Sequence, residues 1–204
     1  MSTLLITTGA TVTFTSLIEK VVDAKFINYL IEANISRLYL QYGNEIKNSK
    51  HISKIFFESQ LKESSIIDHL NLKKVEDTKT NAITLSNSKI EIVAFPFSTN
   101  IESYIESSTL VISHAGTGSI IDTLKYKKPL IVIVNNKLMD NHQLEIAEEF
   151  EKLNYCLNLN VNDLVSEKFK ILLSDIINGK VHFNEFKESD GSILETIIAE
   201  ELQD

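Results

Sequence analysis

The sequence predicts an α/β protein with a mostly parallel sheet and helices on both faces. Three observations predict it. Short apolar runs recur along the chain and are continuous rather than alternating, which marks strands covered on both sides. Segments between several of these runs carry apolar residues at i, i+3 and i+4, the spacing of a helix with one buried face. The two patterns alternate, which requires right-handed strand–helix–strand units and therefore neighbouring strands that run the same way. The architecture expected is Rossmann-like.

Taken in chain order, the first strand is the Leu-Leu-Ile run at 4–6. A helix follows, with Phe14, Leu17, Ile18, Val21 and Val22 on one face. The next strand covers 37–42. Residues 44–89 then break the rhythm, being rich in Lys, Ser, Asn and Glu, and read as an irregular insertion, partly helical around 66–72. Strands resume at 90–95 and 109–113. Ile120, Ile121 and Leu124 carry a helix, and 130–134 is the strongest strand. Leu144, Ile146, Ala147 and Phe150 mark a further helix, and 155–157 a last short strand. Ile193, Leu194, Ile197, Ile198 and Leu202 predict an amphipathic terminal helix at about 189–203, docked on the sheet or on a partner. Residues 1–204 are expected to be a single domain carrying the insertion.

Composition narrows the function. The 204 residues are 43% hydrophobic and 24% charged, ordinary values for a globular protein, so general disorder is excluded. Acidic residues outnumber basic ones 28 to 20, a net charge of −8. That disfavours nucleic-acid binding, which needs a concentrated positive surface, and direct docking on anionic lipid. The longest unbroken apolar run is 130–134, far short of the roughly 20 residues of a membrane span. The first residues lack a basic stretch, so a signal peptide is not expected. Cys156 is the one cysteine, which excludes an internal disulfide and any multi-cysteine metal site. A cytoplasmic setting is expected.

Three segments carry the chemistry. The first is Thr7-Thr8-Gly9-Ala10-Thr11, where the first strand gives way to a helix. Ligands of open α/β sheets bind at the carboxyl ends of strands. A glycine there lets backbone approach a ligand, and Thr11 or Thr13 is available to cap the helix. The glycine pattern of a dinucleotide fingerprint is missing. The second segment, His114-Ala115-Gly116-Thr117-Gly118-Ser119, runs from a strand into a helix expected to start at Ile120. Helix N–H groups at the positive end of the dipole form an anion site. Ser119 adds a hydroxyl, and His114 a ring donor able to become cationic; a diphosphate would suit both. Asp122, one turn on, suits the hydroxyls of a ribose, though a first-turn carboxylate is also simply favourable against the dipole. The third segment, Asn135 to Gln143, lies just past the strongest strand and opens the next helix with Asp140, Asn141, His142 and Gln143. Such a cluster suits sugar hydroxyls, and Asp140 is equally an ordinary N-cap. No zinc motif, nucleophile elbow or Walker phosphate loop is present.

The chain resembles a known family. Ser-His-Ala-Gly-Thr-Gly-Ser-Ile-Ile-Asp, Lys-Pro-Leu-Ile-Val and Leu-Met-Asp-Asn-His-Gln, with Thr-Thr-Gly-Ala-Thr and Leu-Gln-Tyr-Gly nearer the start, are similar to the asparagine-linked glycosylation protein thirteen family. The resemblance covers most of residues 3–160, and the combination is far more specific than one glycine loop. It implies the donor-binding, C-terminal half of a GT-B glycosyltransferase, akin to MurG and the UDP-glycosyltransferases. It implies transfer of N-acetylglucosamine from UDP-N-acetylglucosamine to dolichyl-diphosphate-N-acetylglucosamine, with inversion and no cofactor or metal. The product is the chitobiosyl lipid of early N-glycan assembly. It also implies activity only beside a membrane-anchored, acceptor-binding subunit of the protein-fourteen type, at the cytosolic face of the endoplasmic reticulum. A non-catalytic UDP-sugar-binding scaffold is the alternative. By the resemblance His114 contacts the diphosphate as the catalytic residue, Ser119 a phosphate, and Asp122 the ribose. Asp140, His142 and Gln143, with Asn141 among them, hold the donor sugar. Gly9, Ala10 and Thr11, and Gly116, Thr117 and Gly118, line the substrate, with Gly118 offering backbone where plant relatives often carry Asn.

Overall fold

A computed structural model describes residues 2–135 and 141–187, with Asn141 and His142 described by their backbone alone. The expected terminal helix at about 189–203 lies outside the described residues.

The chain opens with β1 (Ser2–Thr7), α1 (Thr15–Val21), α2 (Ala24–Glu32) and β2 (Ile35–Gln41). A small hairpin of β3 (Ile46–Lys47) and β4 (Lys50–His51) leads into α3 (Ile52–Glu63) and α4 (Ile66–His69). Next come β5 (Lys73–Asp77), β6 (Ala82–Ser86), β7 (Glu91–Phe95), α5 (Ile101–Ser107) and β8 (Leu110–His114). The remainder is α6 (Thr117–Lys125), β9 (Leu130–Ile133), α7 (Asn141–Lys152), β10 (Leu157–Leu159), a 3-10 turn (Val161–Val165) and α8 (Glu167–Ile177).

Eight strands form one sheet in the order β10-β9-β8-β1-β2-β7-β6-β5. The six from β10 to β7 pair in parallel, and β6 and β5 are antiparallel. From β1 the chain first builds outward through β2 and β7, then returns to place β8 on the other side of β1. The order therefore reverses between β1 and β8, and the crevice at their carboxyl ends is where such sheets bind ligands.

The two-residue period of a strand explains why the apolar runs are continuous. Leu4 and Ile6 point to one face, packing with Leu17 and Ile18 of α1, Phe26 and Ile27 of α2, Phe57 of α3 and Phe169 of α8. Leu5 points to the other, with Ile105 of α5, Ile120 of α6 and Phe150 of α7. Leu4, Leu5 and Ile6 are all fully buried. Each such side chain contributes roughly 2 kcal/mol by leaving water. The predicted fold class is observed.

Four sequence-based expectations change. Residues 44–89 are not irregular: they form the β3–β4 hairpin, two helices and the β5–β6 extension of the sheet. In α3 only Ser53, Phe57 and Leu61 are buried, so the apolar stripe is too narrow to stand out. β6 buries Ile83 and Leu85 alone, and all of β5 is exposed, as suits an edge. The first helical region is two helices, α2 starting after Asp23, whose carboxylate accepts from the Lys25 N–H. The last strand starts at Leu157, because Tyr155 instead packs its ring on Phe150 and Phe186 and Cys156 is buried ahead of it. Finally, α6 starts at Thr117 rather than Ile120, with Gly116 at its N-cap.

Candidate functional site

The loop after β1 and the end of β8 meet at the switch point. Their strands are tied by a hydrogen bond between the Thr7 and Ser113 hydroxyls, 2.9 Å apart and buried, across 106 residues of sequence. At the carboxyl ends lies a small cavity of about 110 Å³ lined by Thr8, Gly9, Ala10, Thr11, Val12, Phe14, His114, Asn135 and Gln143. All three sequence segments singled out as chemical thus converge on one space. That volume is below the 300–1,000 Å³ usual for a small-molecule site and suits a compact group such as a diphosphate.

His114 organises this space. A Cβ placed on Gly9 would stand 3.1 Å from its Nε2, and Gly9 also has φ +82°, a conformation L residues avoid. A Cβ on Gly116 would stand 2.5 Å from the same nitrogen, closer than real contacts allow. The imidazole is therefore seated against two bare backbone segments. Gly118 differs: nothing lies within 4 Å of a Cβ there.

Burial pushes the His114 imidazole down to about 4, with a contact to the Thr7 backbone opposing the shift. The ring is neutral near pH 7: desolvation penalises the charged form, and among the described residues no carboxylate compensates. Its Nδ1 is buried without a hydrogen-bond partner.

The start of α6 supplies donors. Its first intrahelical bond runs from the Ile120 N–H to the Gly116 carbonyl, 3.1 Å. Helix geometry gives the N–H groups of Gly118 and Ser119 no carbonyl one turn back, and the N-cap residue, Gly116, has no side chain with which to cap them.

The expected site residues fall into three sets. Gly9, Ala10, Thr11, His114 and Gln143 share the cavity. Gly116, Thr117, Gly118 and Ser119 form the cap and first turn of α6, beside the cavity but not among its lining residues. Asp122 is half-buried one turn further along α6, also outside the lining. Asp140 lies outside the described residues, as do the side chains of Asn141 and His142, whose backbone opens α7. Neither Thr11 nor Thr13 caps α1. Phe14 takes that place without a side-chain bond, and Thr13 donates its hydroxyl to the Glu45 carboxylate instead, 2.7 Å. Asn135, 6% exposed, opens the third segment and lines the cavity, though no site role was expected of it. Its signal was available, since a polar residue directly after the strongest strand faces the same crevice.

The chain is similar to known proteins in sequence and in fold. Residues 3–199 match the family described as Glycosyltransferase family 28 C-terminal domain. The chain is 48% identical to UDP-N-acetylglucosamine transferase subunit ALG13 of Candida albicans, covering 100% of this chain and 75% of the relative. It is 42% identical to the protein of the same name from Debaryomyces hansenii, over 99% of both. Among solved structures, the NMR solution structure of ALG13 aligns with a TM-score of 0.64 and 29% identity, covering 96% of this chain and 94% of that one. The crystal structure of Acinetobacter baumannii MurG aligns with a TM-score of 0.53 at 10% identity, covering 98% of this chain and 49% of MurG; that likeness concerns fold alone.

Proposed function

The chain belongs to the glycosyltransferase family 28 C-terminal domain family, and within it to the ALG13 UDP-N-acetylglucosamine transferase subunits; from that premise we propose that it is the catalytic, donor-binding subunit of an N-acetylglucosaminyltransferase. The donor is UDP-N-acetylglucosamine. The acceptor is dolichyl-diphosphate-N-acetylglucosamine, and the product the chitobiosyl lipid. The observation that carries this reading is the cavity at the β1–β8 switch point, where Gly9, His114 and Gln143 meet beside the start of α6.

In this reading the diphosphate lies between the Gly9 loop and the first turn of α6. The acceptor hydroxyl attacks the anomeric carbon, the bond from that carbon to the β-phosphate oxygen breaks on the opposite face, and configuration inverts. Negative charge gathers on the departing diphosphate. The N–H groups of Gly118 and Ser119, the Ser119 hydroxyl and an N–H of the His114 ring are arranged to stabilise it. A neutral imidazole starts the reaction as a plain hydrogen-bond donor. An anion against the ring raises its proton affinity, so donor binding favours proton uptake by His114. Asp122 holds the ribose hydroxyls, and Asp140, Asn141, His142 and Gln143 the sugar.

Among the described residues no helix is long and apolar enough to cross a membrane. In the proposed reading a lipid acceptor reaches this site through a membrane-anchored partner subunit at the cytosolic face of the endoplasmic reticulum. The test is reconstitution with that partner, UDP-N-acetylglucosamine and a dolichyl-type acceptor. Disaccharide lipid lost in His114→Ala is the result expected. Donor binding without any transfer would replace this reading with that of a UDP-sugar-binding scaffold.

A further inference from the structure

We propose that Glu45 is a positioning residue for the donor site, holding the loop after β1 in the shape that faces His114. It makes no contact with the cavity itself; it acts through Thr13 and Ser53.

The geometry is a closed ring of hydrogen bonds. The Glu45 N–H donates to the Ser53 hydroxyl, 2.9 Å. The Ser53 and Thr13 hydroxyls are 2.8 Å apart. The Thr13 hydroxyl and the Thr13 N–H both reach one Glu45 carboxylate oxygen, at 2.7 and 2.9 Å. A carboxylate only accepts, so Thr13 must donate to it, and the Ser53 hydroxyl must then donate to Thr13. Every proton has one place to go. Ser53 is 0% exposed, so no water substitutes for a missing member. The carboxylate is held at about 2, first by Lys47 and then by Thr13, and stays ionised under working conditions.

The ring is one of three fastenings between the loops after β1 and β2. The Thr8 hydroxyl donates to the Gln41 carbonyl, 2.8 Å, and the Asn44 N–H to the Ala10 carbonyl, 2.8 Å. The loop held by these ties lines the cavity with Thr8, Gly9, Ala10, Thr11, Val12 and Phe14. Of the three, only the ring depends on a side chain outside that segment whose loss removes two bonds to Thr13. Gly43 closes the arrangement: it has φ +98°, and a Cβ there would come within 3.1 Å of the Ser53 hydroxyl. Releasing Thr13 frees the end of the loop whose other end sets Gly9 against the imidazole.

The effect on donor affinity rests on the function proposed above; the effect on loop shape does not. The experiment compares wild type, Glu45→Ala, Glu45→Gln and Thr13→Val as full-length chains. It reads UDP affinity well below the melting temperature and the amide resonances of Gly9, Ala10 and Thr11. Glu45→Ala should weaken UDP binding about tenfold, the scale of one buried partner lost, and shift those amides. Thr13→Val should do the same, and Glu45→Gln, which keeps an acceptor oxygen, should recover part of the affinity. A merely structural role would lower the melting temperature and leave UDP affinity intact, so affinity within about twofold of wild type with unmoved amides overturns the proposal. If Glu45→Ala does not fold, Thr13→Val decides by the same two readings. If wild type itself fails to bind UDP, the donor-site reading falls, and unmoved amides in the variants overturn the loop role separately.

Discussion

The Nε2 atom of His114 lies where a side chain on Gly116 would have to stand, 2.5 Å from the Cβ position. Two residues apart in sequence, they leave each other no room for change. Gly116→Ala should displace the imidazole and cost about 1–3 kcal/mol as an overpacked contact. Gly118→Asn should be tolerated, since that position opens on empty space. Thermal unfolding of both variants checks this, and equal melting temperatures would contradict it.

Acid should weaken the fold through His114. Its native value of about 4 lies below the ordinary 6.5, so the unfolded chain binds the extra proton first. The stability of the neutral ring is fully present above pH 6.5 and is lost as pH falls toward 4, by about 3 kcal/mol across the window. Glu45 adds a second loss below its ordinary 4.5, continuing toward 2. Urea unfolding of wild type and His114→Asn at pH 7 and pH 5 separates the two, because only the histidine contribution acts there. An unchanged pH slope in the variant would refute the assignment.

Within the proposed reaction, His114→Ala should lower kcat/KM on the order of 100-fold, the usual effect of losing one donor to developing negative charge. Asp122→Ala should act mainly on the KM for the donor, because a ribose contact is present in both ground and transition states. Kinetics of the reconstituted pair measure both. Near-normal kcat/KM in the two variants would remove these residues from the site.

Cys156 should be unreactive in the folded protein. It is fully buried, its thiol is pushed up to about 12 by desolvation, and only the thiolate is nucleophilic. Labelling by a thiol reagent should therefore report unfolding, with a rate that rises with urea. Rapid modification under native conditions would count against the packing described.

What was legible in the sequence follows from where water is excluded. β1, β8 and β9 lie inside the sheet with both faces covered, so each carries an unbroken apolar run (Leu4 to Ile6, Leu110 to Ile112, Leu130 to Ile133) that announces itself. β5 and β6 sit at the edge, and one is wholly exposed, so their pattern merges with that of a loop. The site was legible where glycines mark crowding: Gly9 and Gly116 were named from sequence, and both turn out to face His114. The neutrality of that histidine was not legible, because desolvation is a property of the packed crevice. Nor was Glu45, since nothing in a surface-like Gly-Asn-Glu stretch tells which hydroxyls will fold against it.

The bond between Thr7 and Ser113 has a consequence for time as well as space. The residues it joins are 106 apart, and the cavity is lined by the loop that follows β1 and by His114, the last residue of β8. During synthesis the Gly9 loop emerges long before its partner strand exists, while β2 is available to β1 much earlier. The first half of the sheet should therefore assemble without a working pocket, and the pocket should close only when β8 slides in against the free edge of β1. Contacts of such range are slow to form. Competence to bind UDP should then appear as a late, separate phase in refolding, trailing the recovery of helical signal.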